Sequence, residues 1–530
     1  MSSKDDVVLG IDAGTGGLRA GLYDLKGTPL GYADVAYETR YPAPGRAVQR
    51  AQDWWEALVA AVRGALDAGG VAGTRVIGLA IDAPCDILLV DADGAPLTDA
   101  LMWMDLRGAS QAHRLTASGA PVLRYCGGDV PAEWPLPKTL WLKENERATW
   151  SKAPRLVEQM TWLTWRLTGD WVQPQNSAAA KWQYRAGKAA DAGWPLDLMR
   201  RVGLDEAEAK LPQRVVAMGG VGGQLTSEAA ALLGLRRGIN VAMSGIDAHA
   251  GMIGVDALAP GTLALITGTS TCQLAQAAQP VFDPGLWGPF ENAVVDGEWT
   301  IEAGQASTGG TVRWLMDLVG TGWNPATRYA DADAAAAAVE PGAEGLVVLD
   351  YWQGSRTPVK DSAARGTIVG LTTAHGRGHL LRAVYEATAY GNRRILDALA
   401  GNGVPTRRIV ACGGGVKSDL WLQILADVAK VPIELTTVAD AVSLGSGICA
   451  AVGAGAYSDL ASAAKAMVHS AGSVQPNPAM AEVYEQGFGR YRAAYEALAP
   501  VFASWYASAP AALPAGDATG SMVATDATPQ

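Results

Sequence analysis

At 530 residues the chain exceeds what one compact core ordinarily serves, so two or more domains are expected. Apolar residues at 49 % and charged residues at 18 % exclude a disordered chain, and the formal net charge of −11 argues against a general nucleic-acid binder working through a basic face. The opening MSSKDDVVLG lacks the blocks of a signal peptide, and no uninterrupted apolar run reaches the roughly 18 residues of a bilayer span, so a cytoplasmic protein without membrane contact is expected.

In chain order, VVLGIDAGTGGLRAGLYDLKGTPLGYADV reads as strand, glycine-rich turn, strand, KG turn and strand, a β-meander. Residues 53–67 have helical periodicity with Asp53 as N-cap, and VIGLAIDAP resumes a buried strand ending in polar residues. A comparable unit opens near residue 260, where GTLALITGTSTCQLAQAA again gives strand, Gly/Thr turn and strand, followed by helical stretches and the buried strand RRIVACGGG. The echo implies either a duplication with its boundary near 250–260 or two common hairpins that coincide. From about Ala507 the sequence is rich in Ala, Pro, Gly and Thr without periodicity and reads as a disordered tail, whose deletion after Pro510 is expected to leave folding and turnover unchanged.

Cys85, Cys126, Cys272, Cys412 and Cys449 are odd in number and lack a CxxC pair, and the five histidines form no HExxH, so neither a disulfide framework nor zinc hydrolysis is indicated. The 63 glycines, many placed just after β-like runs, point instead to phosphate chemistry. Around Asp12-Ala13-Gly14-Thr15-Gly16-Gly17, backbone N–H groups can approach phosphate, the Thr15 hydroxyl can donate, and Asp12 can hold Mg²⁺ through water. The same glycines also suit an ordinary tight hairpin turn. The Gly268-Thr269-Ser270-Thr271 turn favours the phosphate reading, because two such loops facing each other can clamp a triphosphate. Cys412-Gly413-Gly414-Gly415-Val416-Lys417-Ser418, between a strand and a helix, makes a third anion or nucleotide site and satisfies neither GxxxxGK[ST] nor GxGxxG.

Taken together, DAGTGGLRAGLYD, SGIDAHAGMIG, ITGTSTC, EAGQASTGGTVRWL and ACGGGVKSDLWLQILADVAKVPIEL resemble the FGGY carbohydrate kinases in order and spacing, over roughly residues 6–500. The resemblance implies an α/β protein of two RNase H-like, actin-like ATPase lobes with a catalytic cleft between them. It assigns residues 1–255 to an N-terminal, mainly sugar-binding lobe and 256–507 to a C-terminal, mainly ATP-binding lobe, leaving 508–530 as the tail. Asp247 in Gly245-Ile246-Asp247-Ala248-His249 then looks like the general base that takes the proton of the attacking sugar hydroxyl, although an Asp there can also cap the following helix. Gly268, Thr269 and Gly309 are similar to the family's phosphate and nucleotide contacts, Gly414, Gly415 and Ser418 to its adenosine turn, and Asp12, Thr15 and Arg19 to the opposing loop and its Mg²⁺ partner. ATP and Mg²⁺ are the implied cofactors.

Three segments resemble pentulose kinases of the ribulokinase kind more than glycerol kinases: 131–138, Ala180-Lys181-Trp182-Gln183-Tyr184, and the stretch around Asp247. Pro84-Cys85 stands where a glycerol kinase is expected to carry Arg-Glu and a xylulokinase Met-His. Cys85, Glu133, Trp134, Lys181, Asp247 and Glu302 are the expected sugar contacts, with Trp103 beside them; three of them also have plain structural alternatives, Lys181 exposed, Glu302 capping or paired on the surface and Trp134 in the core. Pro84 and Ser355 depart from the ribulokinase pattern, which leaves xylulose, pentitols and tetritols or tetruloses open as acceptors. A small-molecule sugar is the expected partner, a homodimer is left open, and the reading of another class is an actin-like ATP-binding sensor without catalysis.

Overall fold

The computed structural model describes residues 5–187 and 191–508, so the expected tail lies, from residue 509 on, outside the described residues. The opening residues form the meander β1 (Val7–Gly14), β2 (Gly17–Asp24) and β3 (Pro29–Ala36). Helix α1 (Ala51–Gly69) begins two residues before Asp53, the expected cap: Arg50 sits at the N-cap without a side-chain bond, and Asp53 lies in the first turn. Ala51 and Gln52 propagate a helix readily, and an acid one turn in still meets the positive end of the helix dipole.

Strand β4 (Val76–Asp82) returns parallel to β1. Residues 83–216 then form an insertion with its own small sheet and the helices α2 (Pro135–Asn145) and α3 (Gln175–Lys181). The first unit closes with β5 (Val221–Gln224), β6 (Asn240–Met243) and helix α4 (Asp247–Gly254). The second unit contributes β7 (Thr262–Thr267), β8 (Thr271–Ala277), β9 (Trp287–Glu291), β10 (Trp299–Gln305) and β11 (Arg408–Gly413). Helix α5 (Asp419–Ala429), β12 (Ile433–Thr436), helix α6 (Ala441–Gly453) and β13 (Ser470–Val474) follow.

The first sheet runs β5-β6-β4-β1-β2-β3 and the second β13-β12-β11-β7-β8-β10, with β9 added at the far edge. Strand by strand the pairings agree in direction: antiparallel, parallel, parallel, antiparallel, antiparallel. The repeated hairpin in the sequence is thus one corner of a repeated sheet. Two coincident hairpins would not reproduce the remaining four strands.

Strand β1 is buried on both faces, with Val7, Val8, Leu9 and Ile11 wholly inaccessible. Leu9 and Ile11 pack with Leu58 and Val62 of α1, whereas Val8 packs with Leu444 and Ile448 of α6, a helix of the second unit. Close approach explains the glycines there. A Cβ on Gly10 would collide with the Ser443 carbonyl, and one on Gly445 with the Ala250 carbonyl of α4. Gly445→Val is therefore expected to destabilise by roughly 1–3 kcal/mol through overpacking against backbone that cannot retreat. Differential scanning calorimetry checks this, and an unchanged melting temperature would show that α4 and α6 separate without cost.

Candidate active site

Asp12 and Asp82 are register partners at the C-terminal ends of the parallel strands β1 and β4. Asp12 Oδ2 accepts from Arg19 Nη1 at 2.6 Å, and Asp82 Oδ2 accepts from the Ser446 hydroxyl of α6 at 2.6 Å. The other oxygen of each, Asp12 Oδ1 and Asp82 Oδ1, is buried without a hydrogen-bond partner. Burial pushes the Asp12 carboxyl up to about 7 against the pull of Arg19, and burial followed by the Asp12 charge holds Asp82 well above the carboxylate range. Two orphaned carboxylate oxygens side by side call for a shared proton or a cation. A water-surrounded Mg²⁺ fits, since that ion takes one or two carboxylates and completes its shell with phosphate and water. Among the described residues no three His, Cys, Asp or Glu side chains gather as a closed metal site.

Thr15 forms the tip of the β1–β2 hairpin, which Gly14 and Gly17 close. Its Oγ1 accepts from Trp103 Nε1 at 3.0 Å and its carbonyl from Gln49 Nε2 at 2.7 Å, which leaves the hydroxyl proton to donate elsewhere. Arg19, expected beside Asp12 in this loop, pairs with it across β1 and β2 while its side chain stays partly exposed.

In the second unit the β7–β8 turn places Gly268 and Thr269 at the surface. The Thr269 carbonyl accepts from the Thr308 and Gly310 N–H groups, both at 2.9 Å, and a Cβ on Gly309 would collide with the Gly268 carbonyl. Gly268, Thr269 and Gly309 therefore form one surface. Thr267 joins it to the third glycine cluster: its hydroxyl donates to the Cys412 carbonyl at 2.8 Å and accepts from Gly415 N–H at 3.0 Å. Gly413 has φ +97°, and a Cβ there would collide with the Thr267 carbonyl. A Cβ on Gly414 would meet open space. Ser418 is the N-cap of α5, its Oγ accepting from Trp421 N–H at 3.1 Å.

The charged cluster lies where α3, α4 and β10 meet. Lys181, expected as either a sugar contact or an exposed lysine, is buried and donates to both oxygens of Glu302 at 2.8 Å. Its ammonium also lies 5.2 Å from the Trp134 ring and 5.6 Å from that of Trp287, so Trp134 is both core and wall. Burial opposes ionisation of Glu302, yet Lys181 and then His249 outweigh it and hold the carboxyl down at about 2. His249 Nδ1 receives Asn176 Nδ2–H at 2.7 Å, which leaves Nε2–H to face Glu302 at 3.3 Å.

Asp247 is the first residue of α4, with Ile246 at the N-cap, so it is not the cap; its Oδ1 accepts from Ala248 N–H at 2.7 Å. Burial raises its carboxyl above the ordinary range, opposed by that N–H and then by His249 and Lys181. Asn176 sets the approach to Asp247, since its Oδ1 accepts from Ile246 N–H at 2.9 Å. Cys85 is buried, its thiol pushed up to about 12 by burial, and Glu133 pairs at 3.5 Å with Arg356 of the second unit rather than joining Lys181. A surface cavity of about 530 Å³ lined by Arg40, Arg46, Arg107 and Trp141 includes none of these residues.

Asp82, Asn176 and Arg356 bond to or pair with these candidate residues and were not singled out from the sequence. Only Asp82 had a signal: it ends the strand VIGLAID as Asp12 ends VVLGID.

Comparison with known proteins gives a consistent picture. The N-terminal domain model of the FGGY family of carbohydrate kinases matches residues 7–254 and the C-terminal domain model residues 263–454. A human FGGY carbohydrate kinase domain-containing protein is 32 % identical over 87 % of this chain and 90 % of its own length. A ribulokinase of Mycolicibacterium smegmatis is 32 % identical over 87 % and 88 %. Among solved structures, a xylulose kinase from Rhodospirillum rubrum superposes with a TM-score of 0.83 at 29 % identity, covering 94 % of this chain and all of that one.

Proposed function

The chain belongs to the FGGY family of carbohydrate kinases, and on that premise we propose that it transfers the γ-phosphoryl group of ATP to a hydroxyl of a small ketopentose of the ribulose kind, in the cytoplasm. The observation that carries this reading is Asp247, a carboxylate raised by burial and set beside the Lys181–Glu302 pair where the two units meet. The pocket draws Lys181 and Asp247 from residues 1–255 and Glu302 and Trp287 from 256–507, so the sugar is held by both lobes.

Asp247 takes up the hydroxyl proton as the oxygen attacks, and the Ala248 N–H keeps its carboxylate oriented. Lys181 and Glu302 offer a donor and an acceptor to neighbouring hydroxyls, with Trp134 and Trp287 against the C–H face. Thr15 and Thr269 orient phosphate oxygens through their hydroxyls and Gly309 through its backbone N–H, Gly268 shapes the turn between them with its own N–H bonded to the Ser270 carbonyl, and the open face at Gly414 admits the adenosine. Asp12 and Asp82 would hold Mg²⁺, which neutralises phosphate charge when bound. Asp82→Asn is accordingly expected to raise the Mg²⁺ concentration for half-maximal turnover several-fold, with a smaller effect on the KM for sugar. An unchanged Mg²⁺ titration would leave Asp82 with its Ser446 bond alone.

Ribulose is preferred because curated relatives at about 30 % identity are named ribulokinases, whereas the solved neighbours include xylulose kinases. A coupled ADP assay over D- and L-ribulose, D- and L-xylulose, erythritol, erythrulose, pentitols and glycerol decides between them. The highest kcat/KM is expected for a ribulose; a higher value for any other acceptor overturns the sugar assignment.

A further inference from the structure

Trp103 touches more of this cleft than a simple pocket wall needs to. Its indole N–H donates to the Thr15 hydroxyl at the tip of the first phosphate hairpin, at 3.0 Å, across 88 residues of sequence. Its ring lies 5.9 Å from the guanidinium of Arg356, which the second unit extends toward Glu133. The backbone is pinned on both sides: Trp103 N–H donates to Asp86 Oδ1 at 2.5 Å, and its carbonyl accepts from Lys138 Nζ at 2.9 Å. The same ammonium, wholly buried, donates to the carbonyls of Met102 and Glu133, both at 2.6 Å. The segments bearing Trp103 and Glu133 are thus tied together through Lys138. The Trp103 indole reaches the Thr15 hydroxyl itself, while a second bond, from Gln49 on the strand paired with Ala100–Leu101, reaches only the Thr15 carbonyl.

We propose that Trp103 is a positioning residue that couples the two substrate sites: sugar in the pocket fixes the Trp103 and Glu133 segments, and the indole N–H then fixes the Thr15 hydroxyl for the phosphates of ATP. The inference rests on the reading of this cleft as a sugar kinase site. Binding linkage makes such coupling reciprocal, so sugar tightens nucleotide and nucleotide tightens sugar by the same factor. One neutral hydrogen bond between side chains carries a coupling of about 3- to 10-fold.

The test is calorimetric titration of Mg²⁺ with a non-hydrolysable ATP analogue, without and with saturating D- or L-ribulose, on wild type, Trp103→Phe, Thr15→Val and the double variant. Phe keeps the ring and its packing and removes only the N–H. Wild type is expected to bind the analogue about 3- to 10-fold more tightly when sugar is present. That factor should fall to near one in Trp103→Phe and in Thr15→Val, with no further loss in the double variant. The proposal is overturned if Trp103→Phe keeps the wild-type factor, if the two substitutions reduce it additively, or if sugar binds wild type without any coupling. Failure of the sugar reading looks different. If neither ribulose binds wild type but another sugar of the panel does, the ribulose assignment fails, and the same cycle run with that sugar supports or overturns the link. If no sugar binds, both fall.

Discussion

Asp247→Asn is expected to keep both substrates and lose turnover. Asn retains the size of the side chain and an oxygen for the Ala248 N–H, and Asp247 does not occupy the N-cap of its helix, so the substitution removes no cap. What it removes is the proton acceptor. General-base catalysis contributes about 10²–10⁴-fold, and the loss should fall on kcat with calorimetric affinities for sugar and nucleotide nearly unchanged. Retention of more than about a tenth of wild-type kcat, well above that range, would send the search for the base elsewhere in the cleft. The raised carboxyl sets two further signs. In wild type the rate falls as pH drops through a value above the ordinary carboxylate range, because only the ionised form accepts a proton. A carboxyl whose folded pKa lies above its unfolded one lowers stability as pH rises through the folded value. Neutral Asn lacks this penalty, so the variant should melt no lower than wild type at pH 8.

The second large effect concerns the Lys181–Glu302 pair. Lys181→Ala and Glu302→Ala are each expected to lower kcat/KM for sugar by about 10- to 150-fold, the value of one charged hydrogen bond, with far less change in the KM for ATP. Each single removal also strands a buried charge, at a cost of about 3–5 kcal/mol in stability. The double substitution Lys181→Met/Glu302→Gln leaves neither charge and should recover most of that stability without recovering sugar affinity. Recovery of both would make the pair a structural tie with no sugar contact.

The fold was legible because its signal is local and repeated: a glycine hairpin after a buried strand appears at Asp12 and again at Gly268, and each sits at the same place in its sheet. The N-cap of α1 was misplaced by three residues, Asp53 for Arg50, because Asp53 favours a helix start nearly as well in the first turn as at the cap. Ser418, expected in an adenosine turn, also caps the start of α5, a bond that its glycine neighbours do not announce. Residues whose role depends on distant partners were the least legible. Asp82 acquires its meaning from parallel register with Asp12, and Asn176 from three contacts on two segments 70 or more residues away. Lys181 and Glu302 were each singled out, yet their union across 121 residues was not, since no spacing in the chain encodes it.

The claim on which the account rests is that phosphoryl transfer requires a sugar in this pocket. ADP formation by the purified protein, followed with Mg²⁺ and ATP in the absence and presence of ribulose, tests it most directly. ADP release is expected to rise steeply on adding sugar, to equal the phosphorylated sugar formed, and to disappear in Asp247→Asn. ADP release at the same rate with and without every sugar of the panel, and unaffected by Asp247→Asn, would contradict it and mark the protein as an ATPase whose cleft serves another partner.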